Sequence, residues 1–150
     1  MASEEEPSEA AVDFVLAARY GDADDVRQAL ADGIDVDVRS HGMATATLMA
    51  SANGHGEVVR MLLGARANMS LGNEAGNCPM HWAALNGHEH VCKLLLEARA
   101  DANALNEFNR KPFDEAFGRN MGQICELLAP ATKFSDDVEG EAGKEEEGDV

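Results

Sequence analysis

The chain has 150 residues, which is enough for one domain and excludes a large two-domain enzyme. Of these residues, 45% are hydrophobic and only 5% are aromatic, which suits a core of alanine, leucine and valine. Its 28 acidic residues against 12 lysines and arginines give a formal net charge of -16, which opposes direct binding to nucleic acid and favours a basic protein partner. The chain has three cysteines that lack the spacing of a disulfide framework, which predicts reduced thiols. It has no signal-peptide pattern and no apolar run of about 18 residues, which predicts a soluble intracellular protein with no membrane contact.

The two ends of the chain are more acidic than the middle. Residues 1–10 carry four acidic residues and no basic one (-4), and residues 131–150 carry eight acidic residues and two lysines (-6), so the ends hold -10 of the net charge. Such segments bury too little apolar surface to offset the entropy of ordering a chain. We predict disordered acidic tails at 1–10 and 131–150 around a folded domain at 11–130; the tails serve either solubility or binding.

The first part of the folded segment is also strongly acidic. Residues 13–37 hold seven aspartates against Arg19 and Arg27. Asp24 and Asp25 are expected on a solvated helix face and not in a paired-carboxylate site. Together with the tails, this end of the domain could attract and neutralise a long positively charged segment.

A period of 33 residues runs through the folded segment. Residues that allow a left-handed turn recur at Gly21, Gly54, Gly87 and Asn120. Alanine recurs at Ala17, Ala50, Ala83 and Ala116. Two further columns are formed by Leu62, Leu95 and Leu128 and by Val26, Val59, Cys92 and Cys125. Four columns in one register indicate stacked structural repeats.

The clearest unit lies at residues 76–96. Pro79 suits the first residue of a helix, where no N–H is needed, and Gly87 suits the left-handed residue that ends a helix. Val91 and Leu95 fall at helical spacing on one face of a second helix. The unit is therefore predicted to be a helix pair, which cannot bury its apolar face alone.

This unit resembles the ankyrin repeat, a turn followed by two antiparallel helices with a Thr-Pro-Leu-His start. The resemblance covers residues 13–130. It implies an all-α ankyrin-repeat solenoid of four helix-turn-helix repeats with hairpin-like turns, at about 13–39, 40–72, 73–105 and 106–130. The first and last repeats would be the caps.

The copies depart from the family pattern at two positions. Only His81 keeps the motif histidine, and Leu48 stands in its place in the second copy. The glycine expected after the second helix is present as Gly33 but is Arg66 and Arg99 in the middle copies. If the backbone stays left-handed there, each arginine costs on the order of 1 kcal/mol, partly offset by its charge near a helix C-terminus.

Histidines and cysteines at residues 78–92 raise the alternative of a zinc site or a cysteine-histidine catalytic site. Cys78 and His81 are types that supply zinc ligands. The repeat explains the cluster better, because His81 and His88 match ankyrin positions where imidazoles bond to neighbouring turns, and Cys92 occupies a core column. No phosphate loop, nucleophile elbow or paired-carboxylate site stands out. We expect no metal, no cofactor and no catalytic residue, hence no enzyme.

In ankyrin proteins, partners are held by the tips of the hairpin turns and the exposed side of the first helices, which form a concave surface. Carried over to this sequence, the resemblance implies partner contacts at Tyr20, His41, Asn53, Glu74, Ala75, Asn77, Leu85, Asn86, Glu107, Phe108, Arg110 and Arg119, with Trp82 beside them. Trp82 is the single tryptophan and could be a binding anchor, although the same ring also suits packing between helices. Phe108, at a predicted turn tip, is hard to place in a core.

The segments Met80–His88 and Asn106–Ala116, with the opening Leu16–Asp22 and the acidic C-terminal tail, are similar to the yeast Yar-type chaperone and its plant relatives. In that family, the protein is a dedicated chaperone that binds the basic N-terminal part of a small-subunit ribosomal protein with a KH domain. It keeps this client soluble and supports its passage to the nucleus. The resemblance implies a cytoplasmic and nuclear chaperone. Our hypothesis for its mechanism is that the concave face holds one apolar or helical element of the client, while the acidic surface screens its basic charge until RNA displaces the chaperone. We expect a monomer.

Two other functions stay open on the sequence alone. A generic ankyrin scaffold in signalling or transcription would recognise a neutral or acidic target through Tyr20, Trp82 and Phe108. A protein-kinase inhibitor, as among the small cyclin-dependent-kinase inhibitors, is suggested only by the four-repeat size. A partner screen separates these classes.

Overall fold

The structure is a computed structural model that describes residues 5–134. This part of the chain contains eight α-helices and no strand. The helices are α1 (Glu9–Tyr20), α2 (Ala23–Ala31), α3 (Ala46–Ala52), α4 (Gly56–Gly64), α5 (Pro79–Leu85), α6 (Glu89–Glu97), α7 (Pro112–Gly118) and α8 (Gly122–Leu128). Short 3-10 turns lie at His41–Met43 and Ala129–Ala131.

The helices form two layers. The first helices of successive pairs, α1, α3, α5 and α7, pack side by side in an inner layer, and α2, α4, α6 and α8 do so in an outer layer. Each inner helix also contacts the outer helix that follows it in the chain. The predicted all-α solenoid of four helix-turn-helix repeats is therefore confirmed.

The core between the layers consists of small and branched apolar side chains. Ala50, Ala83 and Ala116 on the inner helices are 0% exposed. Leu62, Leu95 and Leu128 on the outer helices are equally buried. Alanine allows close approach of neighbouring helices, and each buried leucine contributes about 2 kcal/mol of hydrophobic stabilisation.

The turn inside each helix pair contains a left-handed residue, as predicted. The φ angles are +74°, +76°, +80° and +62° at Gly21, Gly54, Gly87 and Asn120. A β-carbon at Gly54 would lie 2.6 Å from Nδ1 of His88, a residue of the next repeat. Nε2 of the same histidine hydrogen-bonds to the carbonyl of Ala52 (3.0 Å). Glycine at this turn therefore also makes room for the contact between repeats.

The turn after the outer helix is left-handed in the first three repeats. Gly33 has φ +93°, while Arg66 and Arg99 have φ +70° and +69°. A side chain in this region clashes with its own backbone, at a cost of roughly 1 kcal/mol. The condition stated for the sequence is therefore met: the backbone stays left-handed at both arginines, which carry this strain.

Helix α1 begins earlier than the sequence predicted. Glu9 and Ala10 are helical, although both lie in the segment 1–10 predicted to be a disordered tail. The cause is local, because the side chain of Ser8 caps the helix by accepting a hydrogen bond from the amide of Ala11 (3.0 Å). The folded part thus extends N-terminally beyond the predicted boundary, and residues 1–4 lie outside the described residues.

The C-terminal boundary is also extended. Thr132, in the segment 131–150 predicted as a tail, is buried, and its hydroxyl donates to the carbonyl of Leu128 (2.7 Å). The ring of Phe134 packs edge-on against a phenylalanine of α7, with 4.8 Å between centroids. The rest of this predicted tail, residues 135–150, lies outside the described residues.

We expect glycine in place of Arg66 or Arg99 to raise the free energy of unfolding by up to about 1 kcal/mol per site, because glycine adopts the left-handed region without steric strain, while the loss of the charge near the helix C-terminus offsets part of the gain. Urea denaturation followed by circular dichroism measures this change. Gly33→Ala is the matched control: an added β-carbon there meets no atom within 4 Å, so backbone strain alone should lower stability by about 1 kcal/mol. If both glycine variants unfold more easily than the parent chain, the strain argument is wrong.

Candidate partner-binding face

Three hairpin-like turns connect successive helix pairs, and we call them finger 1 (40–44), finger 2 (73–77) and finger 3 (106–110). The same backbone hydrogen bond closes each finger. It runs from the amide of the first residue to the carbonyl of the fifth, in Ser40–Ala44 (2.7 Å), Asn73–Asn77 (3.1 Å) and Asn106–Arg110 (3.1 Å). The predicted hairpin-like turns are therefore present.

Fingers 2 and 3 are held internally by an asparagine at their first position. Oδ1 of Asn106 accepts hydrogen bonds from the amides of Phe108 (2.9 Å) and Arg110 (3.1 Å). Oδ1 of Asn73 accepts from the two equivalent amides of finger 2 (3.0 and 3.1 Å). Ser40 makes no such side-chain bond within the described part of the chain. Finger 1 is held from outside instead, because Nη1 of Arg39 donates to the carbonyls of Met43 (2.5 Å) and of Gly72 (2.6 Å), just before finger 2.

Neighbouring fingers also bond to each other. The amide of Glu107 donates to the carbonyl of Ala75 (2.9 Å). Nδ2 of Asn106 donates to Oδ1 of Asn77 (2.8 Å) and to Oε2 of Glu115 on α7 (2.8 Å). Asn106 is only 5% exposed, so these bonds are shielded from water. Fingers 2 and 3 therefore form one connected unit.

His81 ties finger 3 to α5. Its Nε2 donates to the carbonyl of Arg110 (2.8 Å), and its Nδ1 accepts from the amide of Cys78 (3.1 Å). These partners place the proton on Nε2. The imidazole is 1% exposed. The motif histidine thus bonds to a neighbouring turn, as expected, and His88 does so at the other end of the pair.

The two buried cysteines differ: Cys92 is a packing residue, whereas at Cys78 burial, which would raise the pKa of the thiol, is outweighed by the hydrogen bond and charge interaction with His81, which lower it. Cys92 is 0% exposed, and burial together with the nearby Glu89 raises the pKa of its thiol to about 12. A thiol with that pKa is protonated at neutral pH and is a poor nucleophile. Sγ of Cys78 lies 3.1 Å from Nδ1 of His81, and both residues are buried. Within residues 5–134, no three histidine, cysteine or acidic side chains are placed to hold a metal ion.

The inner helices present two columns of side chains at equivalent positions of the repeats. One column contains Leu16, Met49, Trp82 and Glu115, and the other contains Tyr20, Asn53, Asn86 and Arg119. Oε1 of Glu115 lies 3.9 Å from Nη1 of Arg110, so the first column is next to the fingers. We call fingers 1 to 3 together with these two columns the finger face.

All thirteen predicted partner-binding residues lie on the fingers or the inner helices and their ends. Nine of them are exposed: Tyr20, His41, Asn53, Glu74, Asn86, Glu107, Phe108, Arg110 and Arg119. Four are half-buried: Ala75, Asn77, Trp82 and Leu85. Ala75 and Asn77 already use polar atoms to bind finger 3. The contacts of all thirteen with a partner stay predictions.

Sequence reasoning missed two apolar residues of this face. Met43 is 45% exposed and Leu16 is 39% exposed. Leu16 shares the column of Trp82, and Met43 occupies the left-handed tip position held by Gly76 and Asn109 in the other fingers, with φ +64°. The 33-residue register is the signal that would have found both.

We expect Asn106→Ala to lower the free energy of unfolding by about 2–3 kcal/mol, because it removes the four hydrogen bonds of a side chain that is 5% exposed, to the amides of Phe108 and Arg110, to Asn77 and to Glu115. Ser40→Ala is the control at the same repeat position and should change stability by less than about 0.5 kcal/mol. Denaturant unfolding measures both variants, and amide hydrogen exchange should accelerate at Phe108 in Asn106→Ala. Equal stability of the two variants would contradict the assigned network.

None of the helices described between residues 5 and 134 has the length and apolar character needed to cross a membrane.

The family model described as "Ankyrin repeats (3 copies)" matches residues 14–106. No curated protein matches the chain, so the closer resemblance to the Yar-type chaperones stays a prediction. Ankyrin-repeat domains are typically non-catalytic modules for protein interaction. Because the match covers more than half of the sequence, the chain belongs to the ankyrin-repeat family.

Proposed function

We propose that this ankyrin-repeat protein binds and shields a basic small-subunit ribosomal protein of the KH-domain type before ribosome assembly, in the cytoplasm and the nucleus. One observation carries the proposal: Phe108, at the tip of finger 3, is 65% exposed on a chain with a net charge of -16. An exposed aromatic anchor on a negatively charged protein suits a partner in which lysine and arginine flank an apolar element.

Exposed rings lie at both ends of the finger face. Tyr20, at the end of α1, is 69% exposed, and Phe108 is 65% exposed. The guanidinium carbon of Arg19 lies 5.8 Å from the Tyr20 ring centroid, and that of Arg110 lies 6.0 Å from the Phe108 ring centroid. Both rings thus already accommodate a cation on one face. A partner arginine or lysine can stack on the other face.

The charge of the described domain is graded along the solenoid. Arg110 and Arg119 are exposed near its C-terminal end, whereas the aspartate-rich segment 13–37 lies at its N-terminal end. The exposed glutamates of fingers 2 and 3 lie between them. We therefore expect the apolar element of the client near finger 3 and its most basic stretch near α1 and α2.

Shielding has a clear physical purpose for such a client. A free lysine- and arginine-rich protein binds RNA phosphates without sequence preference and aggregates with them. An acidic chaperone competes for the same cations, and ribosomal RNA, with its higher charge density, displaces it during assembly. This cycle requires binding that weakens as salt increases.

We expect the affinity for a purified basic KH-domain ribosomal protein to fall at least about tenfold between low and moderate salt, because ionic contacts are screened. Removing residues 135–150 leaves the packed Thr132 and Phe134 in place, removes eight acidic residues and one lysine (a net charge of -7), and should weaken binding or client solubility further. Isothermal titration calorimetry at two salt concentrations, with and without this segment, measures both effects.

The control replaces residues 135–150 by a glycine-serine segment of the same length, which keeps the chain length and the contacts of Thr132 and Phe134 and removes the charge. Salt-independent binding without any effect of the acidic segment would contradict charge shielding. Affinity capture of a kinase, a transcription factor or several unrelated proteins, without a ribosomal client, would instead favour a general scaffold.

We expect Phe108→Ala to weaken client binding by about 1–3 kcal/mol, as is typical of an aromatic hot spot. Phe117→Ala is the matched control, because Phe117 is 70% exposed but lies outside the finger face. Each change should alter the free energy of unfolding by less than about 1 kcal/mol. Equal losses of affinity from the two variants would show that finger 3 is not the anchor point.

A further inference from the structure

A groove lies on the first helix pair, between α1 and α2, on a different side of α1 from the packed α3. It has a volume of about 760 Å³. Its lining includes the apolar side chains of Phe14, Ala17, Ala29 and Ile34. Phe14 and Ala17 are only 2% and 9% exposed, so they form its floor.

The groove exists because the first repeat has a small residue where the others have a large one. Ala29 occupies the repeat position of Leu62, Leu95 and Leu128, each of which is 0% exposed. Replacing leucine by alanine removes three carbon atoms from the packing surface. Space that a side chain fills in the later repeats is therefore open in the first.

The walls of the groove are acidic at positions that are apolar elsewhere. Asp25 stands at the repeat position of Val58 and Val91, which are 1% and 0% exposed. Asp13 stands at the position of Ala46, which is 0% exposed. Asp22 and Asp32 also line the groove, so four carboxylates surround an apolar floor.

These carboxylates have no cationic partner among residues 5–134. None of the ion pairs there involves Asp13, Asp22, Asp25 or Asp32. The hydrogen bond with Asp22 and the repulsion from Asp22 and Asp24 raise the pKa of the Asp25 carboxyl above its usual value. A cation placed at the rim would relieve this repulsion.

The fold itself indicates what shape of occupant suits this face. In the later repeats the equivalent surfaces are buried, and the neighbours of each inner and outer helix are the helices of the adjacent pairs. A polar first repeat keeps the end of a solenoid soluble, which accounts for the aspartates but not for an open apolar floor. A helix is therefore the occupant that matches the surface.

We propose that this groove binds an amphipathic helix of a partner protein, with an apolar stripe on Phe14 and Ala29 and lysine or arginine side chains against the rim aspartates. The occupant is defined by charge complementarity, because a helix with acidic flanks would add to the repulsion among Asp13, Asp22 and Asp25. The groove is a second binding surface, and it does not depend on the client proposed for the finger face.

The test uses the full-length chain and a synthetic helical peptide of leucine and lysine whose leucines form one stripe. We expect saturable binding by fluorescence anisotropy, and Ala29→Leu should weaken it at least about tenfold because leucine fills the floor. The variant introduces the residue that the other three outer helices carry at this position, so the fold is expected to persist. Circular dichroism and thermal unfolding check that point.

Two further variants test whether the charge of the groove rim contributes to peptide binding and whether the peptide binds at the groove. Asp13→Asn with Asp25→Asn keeps the shape of the rim, and we expect it to weaken peptide binding about threefold to tenfold and to reduce its salt dependence. Phe108→Ala should leave peptide binding unchanged, because finger 3 lies in the third connection and not at the groove. A loss of peptide binding in Phe108→Ala would move the site to the finger face and overturn the groove assignment.

Two control peptides test the apolar stripe and the positive charge separately. A scrambled leucine-lysine peptide with no apolar stripe, or a peptide with glutamate for lysine, should bind at least about tenfold more weakly. Equal binding of either peptide overturns the proposal, as does unchanged binding to Ala29→Leu. If sedimentation equilibrium shows a dimer of the parent chain that Ala29→Leu dissociates, the occupant is a second copy and the proposed partner helix is wrong.

Discussion

The packing of the inner helices through alanine is the constraint on which the other contacts depend. Ala50, Ala83 and Ala116 are 0% exposed, and their small side chains let each helix pair pack close against the previous pair. Neighbouring pairs therefore keep the same short offset along the solenoid. Because of that offset, polar groups of adjacent repeats meet at hydrogen-bonding distance, as His88 and the carbonyl of Ala52 do at 3.0 Å. A larger residue in the alanine column would separate the pairs and break these bonds together with the core contacts.

The fingers depend on the same offset, although they have little apolar core of their own. Finger 3 is held by the side chain of Asn106 and by the bond from the amide of Glu107 to the carbonyl of Ala75 (2.9 Å), which exists only at the correct spacing of repeats. These bonds hold the backbone of finger 3 while the side chain of Phe108 stays 65% exposed at its tip. A finger ordered in advance loses less conformational entropy on binding. Finger 1 lacks the asparagine, and the side chain of Arg39 takes over part of its role by bonding to the carbonyls of Met43 and Gly72.

The turns could be predicted from the sequence because they depend on steric rules that act residue by residue. Gly54 and Asn120 tolerate a left-handed backbone, and Arg66 could be identified as strained from its place in the register. The direction in which a polar atom points is not encoded in spacing. The family pattern marked Ala75 and Asn77 as partner contacts, which stay predictions, but it could not indicate that both also bond to finger 3. The groove at α1 and α2 was missed for a similar reason, since a missing leucine becomes a cavity only on a face with no neighbouring repeat.

The two ends of the solenoid differ in a way that bears on binding. At the C-terminal end, the chain continues over α7, and the rings of Phe134 and Phe113 pack with their centroids 4.8 Å apart. At the N-terminal end, a soluble cap requires polar atoms at the surface, which Asp13 and Asp25 supply, but it does not require the open floor beside Ala29. Tyr20 lines this groove and also ends one column of the finger face, so the two surfaces meet at α1. One partner chain that combines a basic helix with an apolar element could reach both, and its second contact would then be intramolecular and gain in effective concentration.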